Sequence, residues 1–258
     1  MIFFSISYNY FFGKPRKSKI HYGASKNCLF KFFFMLQSNY MKISWYGQSC
    51  FKLTVRSNNN DKITILIDPF DKATGLTPPR GGVDIVLTTH DHHDHNNIKA
   101  VSNEPFVIDS PGEYDVKGVF IKGVYSFHDN KEGQERGINT IYVIKAEDLK
   151  VCHLGDLGQK ELTDYQLEKI GEVDILMVPV GGIYTIDGDE AIKIINQIEP
   201  SIVVPMHYKI PHLTIKLDDV DKFLKEVGSE KKETTEELAI QKKDLNEEEM
   251  KIVVMKPL

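Results

Sequence analysis

Between residues 90 and 95 the chain reads His90-Asp91-His92-His93-Asp94-His95, directly after the apolar stretch 83–89. Polar groups this dense at the mouth of an apolar strand are costly if nothing partners them. The segment therefore implies a buried strand that ends where something satisfies four imidazoles and two carboxylates. Taken as His-x-His-x-Asp-His, it offers two pairs of metal ligands: His90 with His92 for one ion, Asp94 with His95 for a second. Imidazole nitrogen and carboxylate oxygen suit zinc, with manganese and iron as alternatives. His93 sits at the variable position and is read as facing solvent or standing behind the ligands.

The chain has 258 residues, enough for one large domain or two small ones with a sizeable core. Its 41% hydrophobic and 27% charged residues are ordinary for a soluble globular protein. Three scattered cysteines, Cys28, Cys50 and Cys152, suggest no disulfide framework, so a reducing, cytoplasmic setting is expected. No apolar run approaches the roughly 18 residues of a membrane span. The net charge of −5 is uneven: residues 1–40 carry +6, leaving −11 on residues 41–258. An acidic body argues against a surface that binds nucleic acid by neutralising phosphates.

Residues 1–40 hold eight of the fourteen Phe and show no helical or strand period. They are read as an N-terminal extension outside the native domain, which opens at Met41; a targeting peptide and an aromatic docking arm are the alternatives. From there short apolar segments predict strands over 43–46, 49–55, 63–67, 85–89, 105–108, 116–125, 140–144, 150–154, 174–178, 202–205 and 251–255. Apolar spacing predicts helices over 189–198 and 218–227, the second capped by Asp218 and closed by Gly228. The charged run 229–237 reads as a solvated loop or frayed helix.

Further ligand candidates stand just past other strands. His128 follows 124–127, Asp156 lies in the turn Gly155-Asp156-Leu157-Gly158, and His207 follows 202–206. Ends of strands beside a rigid sheet are where α/β proteins place chemistry. Asp68, in Leu66-Ile67-Asp68-Pro69, is either a brace for the ligand loop or a plain Asp-Pro turn. His153 is core or supporting rather than a ligand. Tyr208 either donates to substrate or packs, and Gly181 and Gly182 either line the pocket or form a turn. His21 and His212 have no partners that can be named.

The order His90-x-His92-x-Asp94-His95, then His128, Asp156 and His207, resembles the metallo-β-lactamase superfamily of metal-dependent hydrolases, and the resemblance spans residues 41–258. It is similar in style to the small Zn-dependent branch that includes ascorbate-6-phosphate lactonase-like proteins. The resemblance implies an α/β fold, a four-layer αββα sandwich with the metals at one edge of two sheets. It also implies two divalent ions: His90, His92 and His128 on the first, Asp94, His95 and His207 on the second, and Asp156 bridging. Asp94 would orient the nucleophile or receive its proton.

The expected function is hydrolysis of a small ester, lactone or phosphodiester, some of these phosphorylated, by a hydroxide activated between two metals. A phosphodiesterase or nuclease is the main alternative. Gaps of 33, 28 and 51 residues between His95, His128, Asp156 and His207 leave no room for an inserted RNA-gripping domain. A non-catalytic metal-binding relative and a di-iron oxidoreductase are the remaining readings. Nucleic acid and membrane are not expected partners, and oligomeric state leaves no signature in the sequence.

Overall fold

Nearly continuous apolar runs such as Ile175-Leu176-Met177-Val178 and Ile202-Val203-Val204 have no polar face to offer water, so they belong inside a sheet covered on both sides. The computed structural model describes residues 40–228, 233–246 and 249–258, and in it two sheets face each other. The first contains β1 (Met41–Gly47), β2 (Cys50–Arg56), β3 (Lys62–Ile67), β4 (Ile85–Leu87) and β5 (Phe106–Ile108), with β13 (Glu237–Ile240) antiparallel to β1 at one edge. The second contains β6 (Gly112–Val116), β7 (Val119–Phe127), β8 (Ile138–Ala146), β9 (Leu149–His153), β10 (Ile175–Pro179), β11 (Ile202–Met206), β12 (Glu233–Thr235) and β14 (Lys251–Met255).

Chain direction divides each sheet. In the first, β1–β2–β3 are antiparallel and β3–β4–β5 parallel. In the second, β6 to β9 form an antiparallel meander, while β9, β10, β11 and β14 run parallel. The inner faces share one core, in which Ile43, Leu53, Ile65 and Ile67 belong to the same cluster as Ile121, Ile141, Ile144 and Val151. Alternation along the strands turns Cys50, Leu66 and Val86 to the outer face of the first sheet, under Phe70 and Ile98.

Among the described residues, three helices accompany the second sheet. α1 (Asp164–Ile170) packs on β7, α2 (Gly188–Ile198) on β10, and α3 (Val220–Glu226) on α2. Over the first sheet the outer layer is thin: two 3-10 turns, Lys72–Thr74 and Ile98–Ala100, stand there. This is the four-layer αββα arrangement, with its helices unequally divided.

Several local expectations change. The strand expected over 116–125 is a hairpin, because Lys117 and Gly118 both take positive φ (55° and 76°) and form a tight turn between β6 and β7. α3 is capped by Asp219, which accepts from the Asp221 N–H at 3.1 Å, whereas Asp218 pairs with Lys222 at 2.8 Å. Within the charged run, residues 233–235 are not loop or helix but β12, parallel to β14, and Glu237 opens β13. Residues 229–232, and residues 1–39 of the extension expected over 1–40, lie outside the described residues.

Candidate metal centre

The strands deliver chemistry to one edge of the sandwich. β3 ends just before Asp68, and β4 ends three residues before His90. β7 ends just before His128, β9 three residues before Asp156, and β11 just before His207. All seven side chains singled out in the sequence meet there. Ring centroids lie 4.5 Å apart for His90 and His92, 4.1 Å for His90 and His95, and 4.6 Å for His90 and His128. One carboxylate oxygen joins the set: Asp156 Oδ2 stands 3.1 Å from His207 Nε2, 3.3 Å from His95 Nε2 and 3.5 Å from His128 Nε2. Asp94 Oδ2 lies 3.5 Å from His95 Nε2. Three donor groups, His90/His92/His128, His90/His95/Asp156 and Asp94/His95/His207, each keep their ligand atoms within 4.8 Å of one another.

Supporting hydrogen bonds aim these rings. The fully buried Asp68 accepts the Thr89 N–H at 2.8 Å, the Thr89 hydroxyl at 2.8 Å and His95 Nδ1 at 3.0 Å. The Thr89 hydroxyl spends its single hydrogen on Asp68, so at 2.9 Å it accepts from His90 Nδ1. Both rings therefore carry a proton on Nδ1 and turn Nε2 into the cluster. His90 Nε2 and His95 Nε2 are buried and have no hydrogen-bond partner. Carboxylate oxygens and imidazole nitrogens gathered this closely form a donor set that fits a divalent cation.

Ionisation is strongly coupled across the cluster. Burial raises the cost of charge on Asp156, but His207 and His95 outweigh it and hold its carboxyl well below the usual range. At Asp94 burial is likewise opposed and outweighed by His95, and its pKa is lowered. Burial pushes His90 well down, and His128 and His153 down as well. His95 moves the other way: burial opposes its protonation, but Asp156 and Asp68 raise its pKa well above the ordinary value. The two carboxylates thus favour their charged forms, while burial disfavours protonation of His90 and His128.

Several supporting residues were invisible in the sequence. The β1–β2 turn sends Gln48 Nε2 to Asp94 Oδ2 at 3.4 Å and Ser49 Oγ to Asp156 Oδ1 at 2.9 Å, while the Gln48 carbonyl accepts the His207 N–H at 3.2 Å. Asn139 Oδ1 receives the Asp156 N–H at 3.0 Å. His153 is a brace: Nε2 bonds the Ser49 carbonyl at 2.8 Å, and Nδ1 accepts the Gly155 N–H at 3.1 Å. Tyr208 packs on Trp45, with ring centroids 5.0 Å apart, and its hydroxyl reaches the Met255 carbonyl at 3.4 Å, so it is not presented to a substrate. His93 is mostly exposed, with Nδ1 3.8 Å from Asp94 Oδ1. Above the cluster opens a cleft of about 640 Å³, rimmed by Glu135, Arg136, Tyr184 and Lys216.

A family model described as the β-lactamase superfamily domain matches residues 42–207, the span that carries all seven clustered side chains. The chain belongs to the β-lactamase superfamily. Within it, a UPF0173 metal-dependent hydrolase of Thermoplasma volcanium is 31% identical over 202 residues, covering 65% of this chain and 83% of the relative. A crystal structure from Thermotoga maritima, of a candidate Zn-dependent hydrolase of the metallo-β-lactamase superfamily, is 41% identical with a TM-score of 0.67, over 83% of this chain and 98% of that one. The chain is therefore a metal-dependent hydrolase of this superfamily. A diiron β-hydroxylase from Streptomyces venezuelae, 14% identical with a TM-score of 0.53 over 80% of this chain and 55% of that one, shares the fold alone. Among the described residues no helix is long and apolar enough to cross a membrane.

Proposed function

We propose that this superfamily member hydrolyses a small ester, lactone or phosphodiester at a centre holding two divalent cations, zinc foremost. In this reading His90, His92 and His128 hold one cation; Asp94, His95 and His207 hold the other; Asp156 serves both. The observation that carries it is the single Asp156 oxygen, within 3.1–3.5 Å of three imidazole nitrogens at the floor of an open cleft. Bound cations supply Lewis acidity toward a substrate oxygen and lower the pKa of water. Asp94 has its carboxylate between Gln48 and His95 and lines the cleft, which suits it to orient the attacking water or take its proton. Asp68 and Thr89 keep His90 and His95 in the tautomer that binds a cation.

The cleft volume lies in the range of small-molecule sites, which supports a small substrate over a polymer. Cytoplasmic residence belongs to the same reading, since Cys50 and Cys152 are free, buried thiols. The test gives the metal-loaded protein a phosphodiester and a phosphorylated lactone, with His92→Ala as the blank. Lactone turnover lost in the variant supports the small-molecule reading, and phosphodiester turnover alone replaces it with a phosphodiesterase. Two bound cations with silence across a broad ester panel would leave a non-catalytic metal-binding protein.

A further inference from the structure

The cleft has a charge at its mouth that the metal chemistry does not use. Arg136 comes from the loop between β7 and β8, and Lys216 from the loop between β11 and α3; both line the same cleft as His92, Asp156 and His207. Several cations at the surface of this chain are taken up by carboxylates. Lys42 pairs with Glu237, Lys117 with Asp84, Lys160 with Glu190 and Lys242 with Asp174, at 2.5–2.9 Å. Among the described residues neither the Arg136 guanidinium nor the Lys216 ammonium has an ion pair. The one carboxylate on the rim, Glu135, is taken by Lys131 at 2.6 Å.

Arg136 is also held in place rather than loose. Its backbone N–H is bonded to Asp129 Oδ2 at 2.8 Å, and its guanidinium lies over the Tyr184 ring, 5.7 Å from the centroid. Tyr184 itself stands on the loop before α2, so the contact joins two separate loops at the cleft. A guanidinium fixed against an aromatic face keeps its N–H fork free for an anion. Lys216 adds a second positive charge from another loop. Two cations from different loops match a dianion better than a single carboxylate, which one guanidinium can satisfy by itself.

We propose that Arg136 and Lys216 form an anion subsite at the mouth of the cleft, so that the substrate carries a phosphate group separate from the bond that reacts at the ligand cluster. The word substrate rests on the hydrolase reading above; the binding subsite does not. The test is calorimetric titration of the metal-loaded full chain with alkanediol bisphosphates of increasing length, beside alkyl monophosphates of the same lengths. One phosphate of each ligand is available to the cations below, and only the bisphosphates have a second for the rim.

At one length the bisphosphate should bind at least about tenfold tighter than its monophosphate. The Arg136→Ala/Lys216→Ala double variant should lose that advantage, with monophosphate affinity and metal content unchanged. The proposal is overturned if no length shows the advantage or if the double variant keeps it. It is equally overturned if a carboxylate in place of the distal phosphate binds as tightly. Turnover on the ester panel is scored separately. Its absence with the bisphosphate advantage intact defeats the hydrolase reading and not the subsite, and the reverse result defeats the subsite alone.

Discussion

Asp68 illustrates how much one side chain can decide. It sits at positive φ (47°), fully buried, and its two oxygens take three hydrogen bonds that set the orientation of His90 and His95. Such strain persists only where the surroundings over-determine it. Asp68→Ala should lower cation affinity about 10–100-fold, read by competition with a chromophoric chelator, because both rings lose their fixed tautomer. Asp94 differs, since it lines the cleft: Asp94→Asn should cut kcat by about 100-fold or more while shifting Tm little. Equal activity in that variant would remove Asp94 from the reaction. Asp129 acts on the rim instead. Its carboxylate accepts four backbone N–H groups, from Lys131, Gly133, Glu135 and Arg136, at 2.7–2.9 Å. Burial opposes its ionisation, but these donors outweigh burial and hold its pKa down to about 2 against an ordinary 3.8. A folded value below the unfolded one means stability present above about pH 4 and lost as pH falls toward 2. Asp129→Asn should therefore destabilise by about 1–2 kcal/mol at pH 7, with the gap in Tm from the parent protein narrowing by pH 3.

Elements place these residues through turns more than through regular structure. The β1–β2 turn is the clearest case, since Gln48 and Ser49 touch Asp94, Asp156 and His207 across long stretches of sequence. At the end of β10, Gly181 runs against the backbone of His207, and a Cβ there would collide with the His207 carbonyl oxygen. His207 already holds a left-handed φ of 51°. Gly181→Ala should therefore push this backbone aside, costing about 1–3 kcal/mol and reducing metal stoichiometry, measured by calorimetry and elemental analysis. A variant with normal metal content and Tm would show that the loop absorbs the methyl. Element boundaries were legible where composition is strong. β10 and β11 read as buried strands from their apolar runs, and α2 from its apolar face. α1 escaped notice because it is only seven residues long and buries few of them, although Thr163 and Gln166 have the spacing of a capping box that the structure contains. The pairing of β13 with β1 and of β12 with β14 joins distant segments of the chain, and polar strands such as residues 233–235 carry no periodic signal.

At the scale of the whole molecule, the sandwich holds a charged, polar cluster at its edge that cannot be neutralised by internal hydrogen bonds alone. Removing cations should leave Asp94 and Asp156 facing one another's field, with the buried Nε2 atoms of His90 and His95 unpartnered. Chelation should lower Tm by about 6–12 °C, the consequence of losing about 3–4 kcal/mol of linkage at saturating metal, measured by scanning calorimetry with and without chelator. An unchanged Tm would mean that the fold does not depend on a cation. The sequence alone determined the ligand types and their order, because His-x-His-x-Asp-His is a local pattern and the other three residues stand just past apolar strands that composition reveals. The two-sheet class was legible only through the family resemblance that this ligand order carries; the order of strands and helices by itself called for sheets covered by helices. Tertiary structure decided that these strand ends share one edge, which rests on parallel pairing between segments far apart in the chain. It decided the tautomers of His90 and His95 as well, since those depend on Asp68 and Thr89 arriving from neighbouring strands. The rim of Arg136, Tyr184 and Lys216 comes from three loops whose proximity no local pattern records, because loop positions follow from the sheets that anchor them.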